Sequence, residues 1–367
     1  MLYWQKGDEP MSVSSFSLYL ANRIQEAQQI SLDQLSHKVG RSVATIRRTI
    51  HALNEFLPSS LRFVITESKI ISQISYNQLV HFIQNLTIND FSTTWKERLE
   101  LFICVNVCKN ATNLTKLYQT LEISQSTKKK DRPSFVKELE KDHLELLSLR
   151  GKGVTITGDE LILRIRAAQI LSQIIEINES KQVVCRQANN PIQRLNYQWM
   201  QELFKKPEEL ERLTSMLNSH HLNFNYTSTK FLYAYYFISL HRIKNNFFIE
   251  KERTSPVKIK LFNLFEQAEE DFSFNIVLAS LDNNGPNFYP EDSFITNNSE
   301  QLVKYVEERI FTTFYSRVEL KQEVAQYLYK CIIRHFLNYD FYDNKLDDVK
   351  KEFSFLYQLV EYCYQKY

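Results

Sequence analysis

A chain of 367 residues with 45 Lys and Arg against 43 Asp and Glu is close to neutral, at a formal +2. That balance excludes a global basic field, so any nucleic-acid contact has to rest on local patches. Six Gly and eight Pro leave few chain breakers, and 25 Phe with 20 Tyr supply apolar surface to bury, which excludes disorder and favours a mainly helical, multi-domain protein. The five cysteines, Cys104, Cys108, Cys185, Cys331 and Cys363, are odd in number and scattered, as expected of reduced thiols rather than a disulfide framework. Cys104 and Cys108 stand four apart in LFICVNVC; with no partner pair downstream, a buried helix face is favoured over half a metal site, and no metal or cofactor is expected. The chain opens without a signal peptide, and its longest apolar run, Phe231–Leu240, is too short to cross a bilayer; a cytoplasmic protein with no membrane partner is expected.

Residues 1–15 read as loosely structured, and Phe16–Ala27 as a first helix. In Ser31–Leu57 the apolar residues Leu32, Leu35, Val39, Val43, Ile46, Ile50 and Leu53 recur every three or four positions, the spacing of two helices sharing one buried face. Ser31 and Ser42 are N-cap residues and Gly40 marks the turn between the helices, which predicts a helix-turn-helix. On its second helix Ala44, Thr45, Arg47, Arg48 and His51 fall mostly off the apolar stripe, where small and basic groups suit a DNA major groove; the plain alternative is the solvated face of a helical hairpin. Leu61–Ile65 and Ile70–Ile74 read as strands around a turn, a candidate wing, followed by a connecting helix at Asn77–Leu86 and a joint at Asn89–Thr94.

The pattern then recurs. Trp95–Lys109 reads as an amphipathic helix, Thr112 or Asn113 caps LTKLYQTL, and Ser124 caps QSTKKKD. HLELLSL, RGKG and VTIT (143–157) read as strand, turn and strand, a second wing. Gln125, Ser126, Lys128, Lys129, Lys130 and Arg132 lie on the second candidate recognition helix, with Arg150 and Lys152 at the wing tip; these cations would neutralise phosphates, or form a solvated charge run. Pro133 predicts that this helix is short with a new one starting nearby, or that the unit docks less regularly.

From Asp159–Ile177 onward helical periods dominate: Ile192–Phe204, Glu208–Asn218, Ser228–Asn246, Pro256–Glu270, Ser299–Phe314, Glu319–Asn338 and Asp347–Tyr364. Asp282–Pro290 reads as a loop between two helical halves, and KFLYAYYFISL (230–240) aligns with KQEVAQYLYKC (321–331) as a weak repeat. The expected division is 1–88 and 89–158 for two winged helix-turn-helix modules, then 159–280 and 281–367 for two all-helical domains. There is no GxxxxGK[ST], GxGxxG, HExxH or GxSxG, and the carboxylates Glu307-Glu308 and Glu269-Glu270-Asp271 read as solvated faces, so no enzyme is expected.

SLDQLSHKVGRSVATIRRTIHALN at 31–54, LEISQSTKKKD at 121–131 and GKGVTITGDELILR at 151–164 resemble the Mga/AtxA group of regulators, relatives of activators that carry phosphotransferase regulation domains (PRDs). The resemblance covers residues 15–165; beyond them it is one of helical character. It implies a DNA-binding transcription regulator, usually an activator dimerising through C-terminal PRD-like regions, with double-stranded DNA as partner. It also implies that sugar phosphotransferase proteins can phosphorylate histidines of the helical domains. His220, His221, His241 and His335 are the candidates, with Arg242 and Arg334 placed to hold the phosphate. Longer relatives add a small α/β domain, which is expected to be missing here. A replication initiator with tandem winged modules is the rival reading.

Overall fold

The computed structural model describes residues 12–250, 253–283, 289 and 292–337. The helix predicted at 347–364, Cys363, and parts of the 1–15 and 282–290 segments lie outside them. The fold is mainly α: among the described residues there are fourteen α-helices and nine short strands. The chain divides into two compact units, one holding the described parts of Met1–Gly158, Leu163–Lys206 and Phe237–Asn245, the other those of Asp159–Ile162, Pro207–Tyr236 and Asn246–Tyr367.

In the first unit Val13–Ser14 (β1) leads into Ser15–Ala27 (α1), started by a reciprocal Ser14–Ser17 capping box. Gln29–Ser31 (β2) precedes Leu32–Val39 (α2), capped by Ser31, and Val43–Asn54 (α3), capped by Ser42. Between the two helices Gly40 takes the left-handed conformation at φ 62°, and the Ser36 hydroxyl closes the turn on the Arg41 carbonyl at 2.6 Å. A Cβ added at Gly40 would meet nothing within 4 Å. Gly40→Ala is therefore expected to cost only the strained backbone, about 1 kcal/mol, read as a small shift in the denaturation midpoint with unchanged structure.

The first wing differs in extent and pairing from the two short strands expected at Leu61–Ile65 and Ile70–Ile74. Val64–Ile65 (β3) and Lys69–Ile71 (β4) are shorter than predicted, and β4 is the centre of a three-stranded sheet because β2 pairs with its other edge, Ile30 opposite Ile70. Ile70 is fully buried under this pairing. Asn54, at the end of α3, both donates to the Phe63 carbonyl and accepts from the Phe63 N–H, each at 2.9 Å, and so fixes the wing to the helix. Tyr76–Asn85 (α4) follows, and the expected joint contains Phe91–Ser92 (β5), which pairs in parallel with β1.

Trp95–Lys109 (α5) begins in a Thr94–Glu97 capping box. It was expected to be amphipathic, yet nearly every residue from Arg98 to Val107 is buried, as in a central helix packed on all sides. Leu114–Thr120 (α6) is capped by Asn113 and Gln125–Glu140 (α7) by Ser124; Leu144–Leu149 (β6) and Gly153–Gly158 (β7) pair in register from Leu144 opposite Gly158 to Leu149 opposite Gly153. The break expected at Pro133 does not occur: α7 runs through it. Asp131 and Phe135, one helical turn apart across the proline, are both buried; Asp131 bonds Arg98 and Tyr118, and Phe135 stacks on Phe102. Tertiary anchors on both sides outweigh the missing donor and the steric cost of an interior proline, about 3 kcal/mol.

Glu160–Ile174 (α8) ends three residues before its predicted limit, because Ile175–Ile177 (β8) pairs with Val183–Cys185 (β9). The β-branched residues of both segments favour this hairpin over another helical turn. Pro191–Met200 (α9) starts on an Asn190–Gln193 capping box. Its first turn ties into the modules: Asn190 donates to the Ser15 hydroxyl at 3.0 Å, Ser15 to Glu97, and Arg194 to the Ile83 carbonyl at 3.0 Å and to that of Leu86.

The remaining helices are Pro207–Ser219 (α10), Tyr226–Lys244 (α11), Ala268–Ala279 (α12), Ser293–Ile310 (α13) and Arg317–Phe336 (α14). Among the described residues no helix is long and apolar enough to cross a membrane. The helix predicted at Pro256–Glu270 does not form over most of that span. Side chains of α12 take its backbone donors instead: Asp271 accepts from the N–H groups of Leu264 and Phe265, and Asn275 from that of Phe262. Of the carboxylates expected to be solvated, Glu269 and Glu308 are exposed, and the other three are corrected. Glu270, Asp271 and Glu307 are buried; Glu270 accepts from the Ile249 N–H, and Glu307 from the Phe314 N–H while pairing with Arg317 at 3.3 Å. The weak repeat finds no echo in packing, since Tyr236 is fully buried and its aligned counterpart Tyr327 is 62% exposed.

Candidate nucleic-acid interface

Each module presents one serine-capped helix beside one wing. On α3 the residues facing inward are Ile46, Ile50 and Leu53, all buried, which turns Ala44, Arg48 and His51 out to solvent and leaves Thr45 half-buried. The Ser42 hydroxyl caps the helix by accepting from the Thr45 N–H at 3.2 Å and lies 2.9 Å from the Thr45 hydroxyl. Arg47 departs from the role the spacing suggests: its guanidinium donates to the Glu67 carbonyl at 2.6 Å, so it braces the helix against the wing tip. Arg48 has no hydrogen bond or ion pair among the described residues, and is the cation of this helix left to meet a partner. The exposed Lys69 stands on the wing and was not singled out from sequence, where a lone lysine beside Glu67 gives no signal.

The second module is more basic and more tightly built. Gln125, Ser126, Lys129, Lys130 and Arg132 are exposed on α7 and Lys128 is half-buried; Arg150 and Lys152 are exposed on the wing tip. Two of these cations are held in place: Lys128 Nζ donates to the Thr115 hydroxyl at 2.8 Å, and Arg132 to the Ser148 hydroxyl of β6 at 2.9 Å. The first turn of α6, the basic face of α7 and the wing tip thereby border a partly open cleft of about 530 Å³. Lys128, Lys129, Arg132 and Lys152 line it, and Lys130 and Arg150 do not.

What fixes these surfaces lies beneath them. Asp131, the one acid in the run KKKDR, turns inward and takes a bidentate contact from Arg98, at 2.6 and 3.0 Å, and a 2.6 Å bond from the Tyr118 hydroxyl. One residue from each of α5, α6 and α7 thus meets in a buried knot. Burial opposes the Arg98 charge, but Asp131 more than restores it and holds its pKa above the ordinary arginine value; burial and then the bond to Asp131 push the Tyr118 hydroxyl up. A lone acid inside a basic run was the sequence signal for this knot, and it was missed. Asn106 of α5 holds the wing by accepting from the Ile156 N–H at 3.1 Å and donating to the Val154 carbonyl at 3.3 Å, while Thr112 and Val154 exchange backbone hydrogen bonds at 2.8 and 2.9 Å.

The histidines are dispersed. His220, its ring edge-on to Phe262 at 4.8 Å, and His221 and His335 are exposed. His241 is half-buried with Nε2 3.3 Å from the Cys108 carbonyl. The arginines expected to hold a phosphate are committed elsewhere. Arg242 is buried and donates to the Val107 carbonyl and Asn110, and Arg334 to the Ser280 carbonyl and Asp282. Desolvation, ahead of the raising effect of the Cys108 carbonyl, keeps the His241 pKa below the usual histidine value. Because the unfolded chain then binds a proton more readily than the folded one, the stability from His241 is present above the ordinary histidine range and is lost as pH falls through and beneath it. A urea series across that range is expected to show the decline in wild type and a flatter profile in His241→Asn.

Among the described residues no group of three or more His, Cys, Asp or Glu is arranged to hold a metal ion. A family model described as the M protein trans-acting positive regulator (MGA) HTH domain matches residues 19–69, and one described as the Mga helix-turn-helix domain matches residues 77–170. No curated protein matches the chain.

Proposed function

From the two Mga-type helix-turn-helix domains that this chain carries in its N-terminal half, we propose a DNA-binding transcription regulator whose two recognition helices engage one duplex. The observation that carries the proposal is the repeated presentation, on α3 and on α7, of a serine-capped helix with outward small, polar and basic side chains next to a wing. In the first module Ala44, Thr45, Arg48 and His51 meet base edges and Ser42 a phosphate, while Arg47 positions the wing. In the second, Gln125 and Ser126 lead into the groove and Lys128, Lys129, Lys130, Arg132, Arg150 and Lys152 supply phosphate contacts. Both matching family models describe Mga-type regulators, which favours this reading over a replication initiator.

An activating role follows the words "positive regulator" in one model's description. Homodimerisation and signal sensing are assigned to the helical regions 159–280 and 281–367 in line with the resemblance. Phosphorylation by phosphotransferase proteins, which the resemblance implies for His220, His221, His241 or His335, would have to proceed without Arg242 and Arg334, which are engaged elsewhere. No enzymatic activity is proposed.

Binding to a duplex from upstream of the protein's own gene, measured by fluorescence anisotropy over a series of salt concentrations, tests the reading. Lys129→Ala/Lys130→Ala is expected to reduce the slope of log affinity against log salt by about 1–2, and Arg48→Ala to cost about 1–3 kcal/mol in affinity. Affinity that neither substitution changes would remove the recognition helices from the interface.

A further inference from the structure

The cleft of the second module has more shape than a DNA backbone contact requires. A phosphodiester chain needs only exposed cations, such as Lys130 and Arg150 outside the cleft lining. The cleft is a partly open hollow of about 530 Å³, within the roughly 300–1,000 Å³ of small-molecule sites. It also combines two kinds of wall. Lys128, Lys129, Arg132 and Lys152 line it as cations, while Leu114, Leu149 and Val154 give it an apolar side. Two of the cations are already held, Lys128 by Thr115 and Arg132 by Ser148, which leaves Lys129 and Lys152 as the lining cations to meet a phosphate. No acidic residue is among those lining it. The opposite wall is the wing tip, where Gly151 and Gly153 bring bare backbone to the edge of the space.

We propose that this cleft is a seat for a phosphate ester, the phosphate held by Lys129 and Lys152 and the organic body lying against Leu114, Leu149 and Val154. A free organic phosphate of nucleotide or sugar-phosphate size is the occupant that the volume and the apolar side favour; a sugar–phosphate unit of bound DNA offers the same chemistry. Since the cleft is built from α7 and its wing, a free occupant would also compete with DNA there. The proposal goes beyond the DNA-binding reading and is testable without it.

The experiment titrates the full-length chain with adenosine monophosphate, glucose 6-phosphate and inorganic phosphate by calorimetry, and separately with a labelled duplex. Wild type is compared with Lys129→Ala/Lys152→Ala and with Lys130→Ala, whose lysine lies on the same helix outside the cleft lining. Circular dichroism checks that the exposed substitutions leave the fold intact. Two organic phosphates binding more tightly than inorganic phosphate, with affinity falling about tenfold or more in the double variant and unchanged in Lys130→Ala, is the expected result. That result without any duplex binding would uphold the seat and overturn the regulator reading. Duplex binding lost selectively in the double variant, with no organic phosphate bound, would uphold the seat with DNA as its source of phosphate. Equal losses of organic-phosphate affinity in the double and the Lys130→Ala variants, or binding of duplex alone with no greater loss in the double variant, would reduce the cleft to general surface charge and overturn the proposal. So would the absence of any ligand binding in wild type.

Discussion

Replacing Asp131 with alanine is expected to destabilise the second module by about 3–5 kcal/mol, because it leaves a buried guanidinium without its carboxylate. The Arg98 and Asp131 side chains are 8% and 7% exposed, so water cannot substitute for the lost partner. Arg98 would keep only its bonds to Thr93, and the Tyr118 hydroxyl would lose its acceptor. The knot joins α5, α6 and α7, so its loss loosens the whole helix-turn-helix and releases the anchor that holds α7 straight before Pro133. In a chain of two compact units a single unfolding energy is poorly defined. Native-state hydrogen exchange on the full chain reads the effect better: amides of 95–109 and 125–140 are expected to lose protection by that amount while those of α12 keep theirs. Adding Arg98→Leu to Asp131→Ala is expected to restore part of the loss, since the uncompensated charge goes with it. Unchanged protection in Asp131→Ala would show the knot to be dispensable.

The second large effect is expected at Gly153. Its φ is +114°, and a Cβ there would lie 2.4 Å from the Thr112 carbonyl oxygen and 2.7 Å from its carbon, both backbone atoms that cannot swing aside. The same Thr112 exchanges backbone hydrogen bonds with Val154, so the glycine is what allows the wing to dock on the segment before α6. Gly153→Ala is expected to cost about 1–3 kcal/mol for the backbone conformation and about as much again for the overlap. The wing would lift from Thr112 and Asn106, opening the cleft between wing and α7. The contrast with Gly40→Ala sets the scale: both glycines have positive φ, but only Gly153 is pressed against backbone. Loss of protection confined to β6 and β7, together with weaker duplex binding, checks this; a variant indistinguishable from Gly40→Ala would refute it.

Much of the N-terminal architecture was legible because its signals are local. Ser31, Ser42 and Ser124 cap the helices they precede, Gly40 turns where a left-handed residue is needed, and the apolar spacing in Ser31–Leu57 marks the buried face. What could not be read depends on groups far apart in the chain. Pro133 is tolerated because Arg98 and Tyr118 hold Asp131 and Phe102 holds Phe135. The span 256–267 keeps an apolar period yet stays irregular because Asp271 and Asn275 take its N–H groups. The strand β2 escapes notice because three residues between helices carry no period of their own, and only pairing with β4 defines it. At the interface the limit is similar. Sequence picks out which side chains are basic, but not that Arg47 and Arg132 are tied to wing atoms while Arg48, Lys129 and Lys152 are left exposed or half-enclosed.

A footprint of the protein on DNA upstream of its own gene tests most directly whether both modules work on one duplex. Wild type is run beside Arg48→Ala/His51→Ala and Lys129→Ala/Lys130→Ala at two salt concentrations. Two modules each filling a major groove predict protection over more than one helical turn, about 10 base pairs each, which retreats from one side in the first variant and from the other in the second, more so at high salt. No protection by wild type, or full protection by both variants, would contradict the account and leave the two helix-turn-helix units without a duplex to read.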